Sequence, residues 1–180
     1  MHDISCPYAL LNTNHKFLCL SWFSWLPYNV SNMSTPFWKT KSLATLTPEE
    51  WELLCDGCAQ CCVIKFEDED TGKIYHTNVV CELLEIHHCR CTCYAERSIF
   101  VPTCLTLTPE LASSLEWMPA TCAYRLLAEG KDLPHWHPLV SGDPKTVHSA
   151  GISVRGKVVS GRDVDGDDLP DYVVDDDENP

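Results

Sequence analysis

The sequence predicts a small, loop-rich α+β fold: a single domain of short helices and hairpins. Three observations carry that expectation. The 180 residues suffice for one domain and are awkward for two. Cap, turn and breaker residues recur at short intervals, so no element runs long. Ten of the 12 cysteines fall between Cys55 and Cys122, which places a cysteine-bound metal centre in a domain whose core is modest. Apolar residues make up 44% and charged residues 22% of the chain, which is ordinary globular usage and excludes a fully disordered protein.

At the N-terminus, residues 17–26 form a mostly apolar run, FLCLSWFSWL. A bilayer span needs about 20 such residues. A secretory signal would need a basic n-region and a small-residue cleavage site, and neither is present. Residues 1–32 therefore read as a non-native or disordered extension ahead of Met33. With no signal, the expected compartment is the cytoplasm, with thiols reduced.

Thr47-Pro48-Glu49-Glu50 predicts a helix start. Thr47 caps, Pro48 suits the first helical position, and Glu50 completes a capping box. This helix should run into Cys55 and stop at Gly57. Residues 63–66 and 73–77 read as strands around an acidic turn. Residues 81–85 and 89–94 read as a second hairpin, with Cys89, Cys91 and Cys93 alternating onto one face. Thr108-Pro109-Glu110 repeats the helix-start pattern, with an end expected near Met118. A further helix over 122–129 should end at Gly130. Beyond Lys131 the chain reads as loops, closing with a strand or hairpin over 152–160.

Residues 161–180 carry nine acids and one base, a net charge of −8, so the other 160 residues carry −5 of the total −13. This segment reads as an acidic, disordered tail. Asp163, Asp165 and Asp167 do not make a calcium loop. Position six would be Asp168 instead of glycine, and position twelve Val174 instead of a glutamate. The overall negative charge argues against nucleic acid and anionic membrane as partners.

The strongest motif is Cys55-x2-Cys58-x2-Cys61-Cys62. Two-residue gaps let successive thiolates reach one ion without strain. The same spacing opens bacterial ferredoxin runs, but Cys62 follows at once and no cysteine of the cluster precedes proline. Further ligands must come from Cys81, Cys89, Cys91, Cys104 or Cys122. Ten thiols suffice for two four-ligand sites with two left over. Disulfides are the competing use of dense cysteine, and burial as small hydrophobes is the bland one. Adjacent Cys61 and Cys62 would need distant disulfide partners. Zinc, iron and an iron–sulfur cluster all accept four thiolates, so spacing does not separate them. Among histidines, His137 in LPHWHPL is the best additional ligand, ahead of His135, His87 and His88.

Catalytic motifs are missing: there is no G-x-S-x-G, no phosphate loop and no G-x-G-x-x-G. The pair Cys58-Ala59-Gln60-Cys61 has dithiol spacing but lacks the long strand and long helix of a thioredoxin.

The strings LCDGCAQCC, DEDTGKIYHTNVVC, HHCRC, VPTC, LEWMPATCAYRLLAEGKDLPHWHPLVSGD and GISVR together resemble the bacterial YcgN family. That family belongs to a broader group with a YkgJ-type C-x2-C-x2-CC domain. The resemblance covers about residues 34–160. It implies zinc or iron chelation, and it supports Met33 as the start of a 33–160 cysteine-cluster domain. The thiols it carries over are Cys55, Cys58, Cys61, Cys62, Cys81, Cys89, Cys91, Cys104 and Cys122, and His137 lies in a matching block. Cys93 is an addition to the family pattern.

The expected function is therefore a zinc- or iron-chelating binding or structural protein. Cys55, Cys58, Cys61 and Cys62 form its heart. Cys81, Cys89 and Cys104 close the shell, with Cys91 and Cys122 behind them. The alternative is an iron–sulfur redox or accessory protein with an enzymatic use. The sequence names no protein partner.

Overall fold

The computed structural model describes residues 35–114 and 117–174. The expected extension over 1–32 and the last six tail residues lie outside the described residues. Within them the chain order is α1 (Phe37–Thr40), α2 (Pro48–Leu53), β1 (Val63–Glu67), β2 (Ile74–Val80), β3 (Leu84–Glu85), β4 (Arg90–Cys91), α3 (Arg97–Phe100), α4 (Pro109–Ser114), α5 (Ala123–Ala128), α6 (Pro138–Ser141), α7 (Thr146–Ser149) and β5 (Val159–Ser160). This is the mixed, loop-rich α+β architecture that the punctuation of the sequence predicts.

Helix α2 starts as its sequence dictates. The Thr47 hydroxyl accepts the Glu50 N–H at 3.2 Å, and the Glu50 carboxylate accepts the Thr47 N–H at 2.9 Å. The helix is shorter than expected, ending at Leu53, and Cys55 leaves on a looser turn in which its N–H donates to the Glu52 carbonyl at 3.3 Å. Helix α5 ends in a Schellman pattern. The Gly130 N–H donates to Leu127 O at 3.1 Å and the Lys131 N–H to Leu126 O at 2.8 Å, with Gly130 left-handed at φ 71°.

The main sheet has the order β1-β2-β5. Strands β1 and β2 are antiparallel, with an irregular register between Val63 and Lys65, and β5 pairs parallel to β2 through Val79 and Val159. Only residues 159 and 160 of the expected 152–160 strand are extended. The preceding stretch turns so that Val154 can bury its side chain and donate its N–H to Cys58 O at 3.0 Å. The second hairpin forms, but only as Leu84–Glu85 against Arg90–Cys91. Cys89 adopts a left-handed φ of 54°, which breaks the alternation expected to put three cysteines on one face. Two helices, α6 and α7, occupy the region after Lys131 that reads as loop. Pro138 at the first position and capping by His137 explain α6.

Residues 161–174, expected as solvated tail, run along β2. A 3-10 turn over Gly166–Tyr172 leads into a bridge between Val173 and Thr77, and the Val174 N–H donates to His76 O at 3.0 Å.

The interior divides into two clusters. One is helical: Phe37, Trp38, Leu54, Ala112, Met118, Ala123, Tyr124 and Leu133. The other is built on the sheet: Ala59, Val63, Val80, Leu84, Cys89 and Val154. The cysteine loop after α2 runs from Leu54 in the first to Ala59 and Val63 in the second, so the motif stitches the two halves together.

Candidate metal centre

Local geometry sets the loop. Gly57 is left-handed at φ 76°, and the Cys58 N–H donates to the Asp56 carboxylate Oδ1 at 3.0 Å. Ala59 is also left-handed, at φ 61°, and feeds a 3-10 turn over Gln60–Cys62. Such a backbone is uncommon for a residue with a Cβ. It sharpens the reversal that brings Cys61 back beside Cys55 and Cys58.

The remaining thiols arrive from four other places. The Cys81 N–H donates to Cys62 O at 2.9 Å, placing the end of β2 beside the turn. Cys91 pairs opposite Leu84 in the small hairpin. Cys104 closes a turn after α3, its N–H on Val101 O at 2.8 Å. Cys122 caps α5, and the Tyr124 hydroxyl on Trp51 O at 2.8 Å ties that helix to α2.

Electrostatics shows which thiols are neighbours. Burial pushes Cys55 up to about 12, although the residue keeps an exposed edge, and Cys61 and Cys122 push the same way. Burial also raises Cys58 well above the ordinary thiol range, with Asp56, Cys61 and Cys55 adding to it. Cys122 rises to about 11 through burial, opposed by helix N–H groups and reinforced by Cys61 and Asp56. On the other side, Cys62 is raised by its hydrogen bond to Cys61, by burial, and then by Cys61, Cys81 and Cys91. Burial raises Cys81, and Cys91 and Cys104 add to the rise; burial also raises Cys91, and Cys104 adds to it. Cys61 is the exception: the hydrogen bond from Cys62 and the Lys65 ammonium lower it.

These are neighbourhoods and not coordination spheres. Among the described residues, no three Cys, His, Asp or Glu side chains are placed to hold an ion as they stand. Closing four thiols on an ion takes rotation about χ1, the one side-chain angle that moves a cysteine sulfur. The donor set nonetheless fits a thiophilic cation. Asp56 Oδ2 is buried without a hydrogen-bond partner, beside the thiols of Cys58, Cys61 and Cys122. A buried carboxylate oxygen with no donor is costly and suits a nearby cation.

Two expected ligands stand elsewhere. Cys89 is buried in the sheet cluster and its thiol donates to Ile86 O at 3.4 Å. Its electrostatic neighbours are Arg155, Ser153 and Glu85, so it packs as a small hydrophobe. His137 is fully buried with both ring nitrogens on backbone: Nδ1 accepts the Leu139 N–H at 3.1 Å, and Nε2 lies 3.0 Å from Leu54 O. Acceptance at Nδ1 puts the ring proton on Nε2, which donates. His137 is thus a latch holding α6 to the end of α2. Cys93 is buried and disulfide-bonded, outside the free thiols.

Sequence reasoning missed two residues. Asp56 lies inside the motif but has no spacing rule of its own. Lys65 sits on a strand where its charge reads as solvent-facing. It is instead partly buried, its Nζ donating to Gln60 O at 3.3 Å and Val63 O at 3.0 Å and lying 5.2 Å from the Trp117 ring centroid.

Comparison with known proteins places the cysteine motif within a described domain. Residues 54–123 match the family model described as "CxxCxxCC: Putative zinc- or iron-chelating domain". The chain is 56% identical over 140 residues to a UPF0260 protein of Rhizobium etli, covering 78% of this chain and 89% of that protein. It is 57% identical over 139 residues to one from Granulibacter bethesdensis, covering 77% and 82%, and 55% identical over 139 residues to one from Pseudomonas aeruginosa, covering 77% and 93%. These relatives carry the UPF0260 name and not the YcgN name. No solved structure matches the chain.

Proposed function

We propose, for a chain that belongs to the UPF0260 family, that it is a metal-binding module whose cysteines hold zinc or iron and so brace a small fold. The observation that carries this reading is eight free thiols from five separate places in the chain, with the orphaned Asp56 oxygen beside four of them, Cys55, Cys58, Cys61 and Cys122. The proposed ligands are Cys55, Cys58, Cys61, Cys62, Cys81, Cys91, Cys104 and Cys122. Cys89 and His137 serve packing.

A bound zinc would supply redox-inert crosslinking of chain segments that the two modest clusters hold only loosely. Iron in the same thiols would add electron transfer. A reducing compartment, the cytoplasm, keeps such thiols available. The partner is the metal ion. The net charge of −13 argues against nucleic acid, and no helix among the described residues is long and apolar enough to cross a membrane.

The test is purification of the full chain without oxygen and without added metal, followed by a visible spectrum and counts of zinc, iron and acid-labile sulfide. A colourless protein with stoichiometric zinc supports the bracing role. A brown protein with iron and matching sulfide moves the reading to a redox cluster. Cys58→Ser and Cys61→Ser should both lose metal, and full retention in both would overturn chelation at this site.

A further inference from the structure

We propose that the cysteines form two separate four-thiol metal centres that meet at the Cys61–Cys62 bond. One comprises Cys55, Cys58, Cys61 and Cys122. The other comprises Cys62, Cys81, Cys91 and Cys104. This rests on the metal-binding reading and goes beyond it in the number of ions and the division of ligands.

The backbone makes the division. Residues 60–62 form a 3-10 turn, in which successive side chains diverge by about 120°. Consecutive cysteines therefore look toward different parts of the chain. The surroundings of each agree. Cys122 packs against the helical cluster, and Tyr124 holds its helix to α2, which leads into Cys55. Cys62 packs against the sheet cluster, and its own carbonyl receives the Cys81 N–H. The small hairpin then carries Cys91 back toward Cys81, whose carbonyl accepts the Leu84 N–H at 2.9 Å while Leu84 pairs with Cys91.

The electrostatic neighbours split along the same line. Cys55 lies close to Cys61 and Cys122, and Cys58 to Cys55 and Cys61, whereas Cys104 lies close to Cys81 and Cys91, and Cys62 to Cys81 and Cys91. The peptide bond between Cys61 and Cys62 is where the two groups meet. Lys65 sits at that seam, its Nζ donating to Gln60 O at 3.3 Å and Val63 O at 3.0 Å, the residues on either side of the cysteine pair. Two tetrathiolate sites around divalent ions each carry a net −2, so a cation at their junction offsets repulsion where it is greatest.

The experiment is native mass spectrometry of the full chain, stripped of metal under reduction and titrated with zinc alone. Two zinc ions per chain are expected. Cys122→Ser and Cys104→Ser should each reduce the count to one, the double variant to none, and Cys89→Ser should leave two. One zinc in the wild type, or loss of both ions in either single variant, overturns the division while leaving chelation standing. No zinc at all overturns chelation itself. Should a variant fail to fold, cadmium-113 NMR of the wild type decides: two sets of thiolate-range resonances support two centres, and one set overturns them.

Discussion

Cys61 and Cys62 are consecutive residues of one 3-10 turn, yet their thiols are pushed in opposite directions, Cys61 down and Cys62 up. The interaction between the two side chains, with the Lys65 ammonium nearby, favours the Cys61 thiolate and keeps the proton on Cys62. One sulfur of the pair is thereby prepared as an anion and the other as a thiol.

That asymmetry predicts a reactivity order. The thiolate is the nucleophile, and Cys61 keeps an exposed edge while Cys58 is buried. In metal-free protein near neutral pH, iodoacetamide should modify Cys61 first and Cys58 and Cys89 late. Zinc should slow Cys61 strongly and leave Cys89 unchanged. Peptide mapping by mass spectrometry reads the order, and Cys89 reacting ahead of Cys61 would count against it.

Opposite pH slopes are expected with and without metal. In the metal-free fold, Cys55 and Cys122 are pushed up to about 12 and about 11. Their stabilising effect is complete below the unfolded thiol value of about 8.5 and is lost as pH rises through the folded values. Metal-free protein should therefore weaken between about pH 9 and 12. With metal bound, the same sulfurs are held as thiolates, so stability is lost as pH falls and protons reclaim them. Urea midpoints at several pH values, with and without zinc, give both slopes. Zinc binding should also release more than one proton per ion, visible by calorimetry in buffers of different ionisation enthalpy.

The His137 latch predicts loss of stability without loss of metal. The ring is fully buried and satisfies two backbone groups 83 and 2 residues away in sequence. Replacing it by alanine leaves a cavity and unpaired groups, which should cost about 2–4 kcal/mol. The zinc count at saturation should stay at its wild-type value. A variant of normal stability that fails to load zinc would instead make His137 a ligand.

Thr47→Ala removes the acceptor for the Glu50 N–H at the start of α2. The expected loss is about 1 kcal/mol in a urea titration. Glu50 also holds Lys41 at 2.6 Å, so the carboxylate is not left unpaired. A null effect would mean that packing of Trp51 and Leu54 alone holds this helix.

Much of this architecture is written locally. The capping box of α2, the Gly130 stop of α5 and the β1–β2 hairpin each depend on a few adjacent residues, and each appears where those residues put it. The cysteine spacing marked the loop that joins the two clusters. The path of that loop did not show, because it turns on a left-handed Ala59, a residue type that does not advertise that conformation. Alternation put Cys89 with Cys91, but a positive φ at Cys89 sent it into the core. His137 was singled out by type, while its partners come from segments that meet only in the folded chain. Charge alone made residues 161–174 a solvated tail, whereas pairing of Val173 with Thr77 is a nonlocal contact with no trace in composition.

Asp56 supplies the sharpest test of what the thiol groups are for. Its Oδ1 accepts the Cys58 N–H, and its Oδ2 is buried without a partner. Next to thiolates alone, this carboxylate is repulsive, since it raises Cys58, Cys61 and Cys122. Beside a bound cation it is favourable, as a ligand or as an outer charge. The two situations give opposite signs for Asp56→Asn, which keeps the acceptor for Cys58 and removes the charge. If the group holds a cation, the variant should bind zinc about 10-fold or more weakly, with its urea midpoint in the metal-free state unchanged or raised. If the thiols never ionise around a metal, the substitution relieves a buried charge and changes nothing in zinc binding. A competition titration against a chromophoric chelator measures the affinity, and equal or tighter binding by the variant would remove Asp56 from the centre.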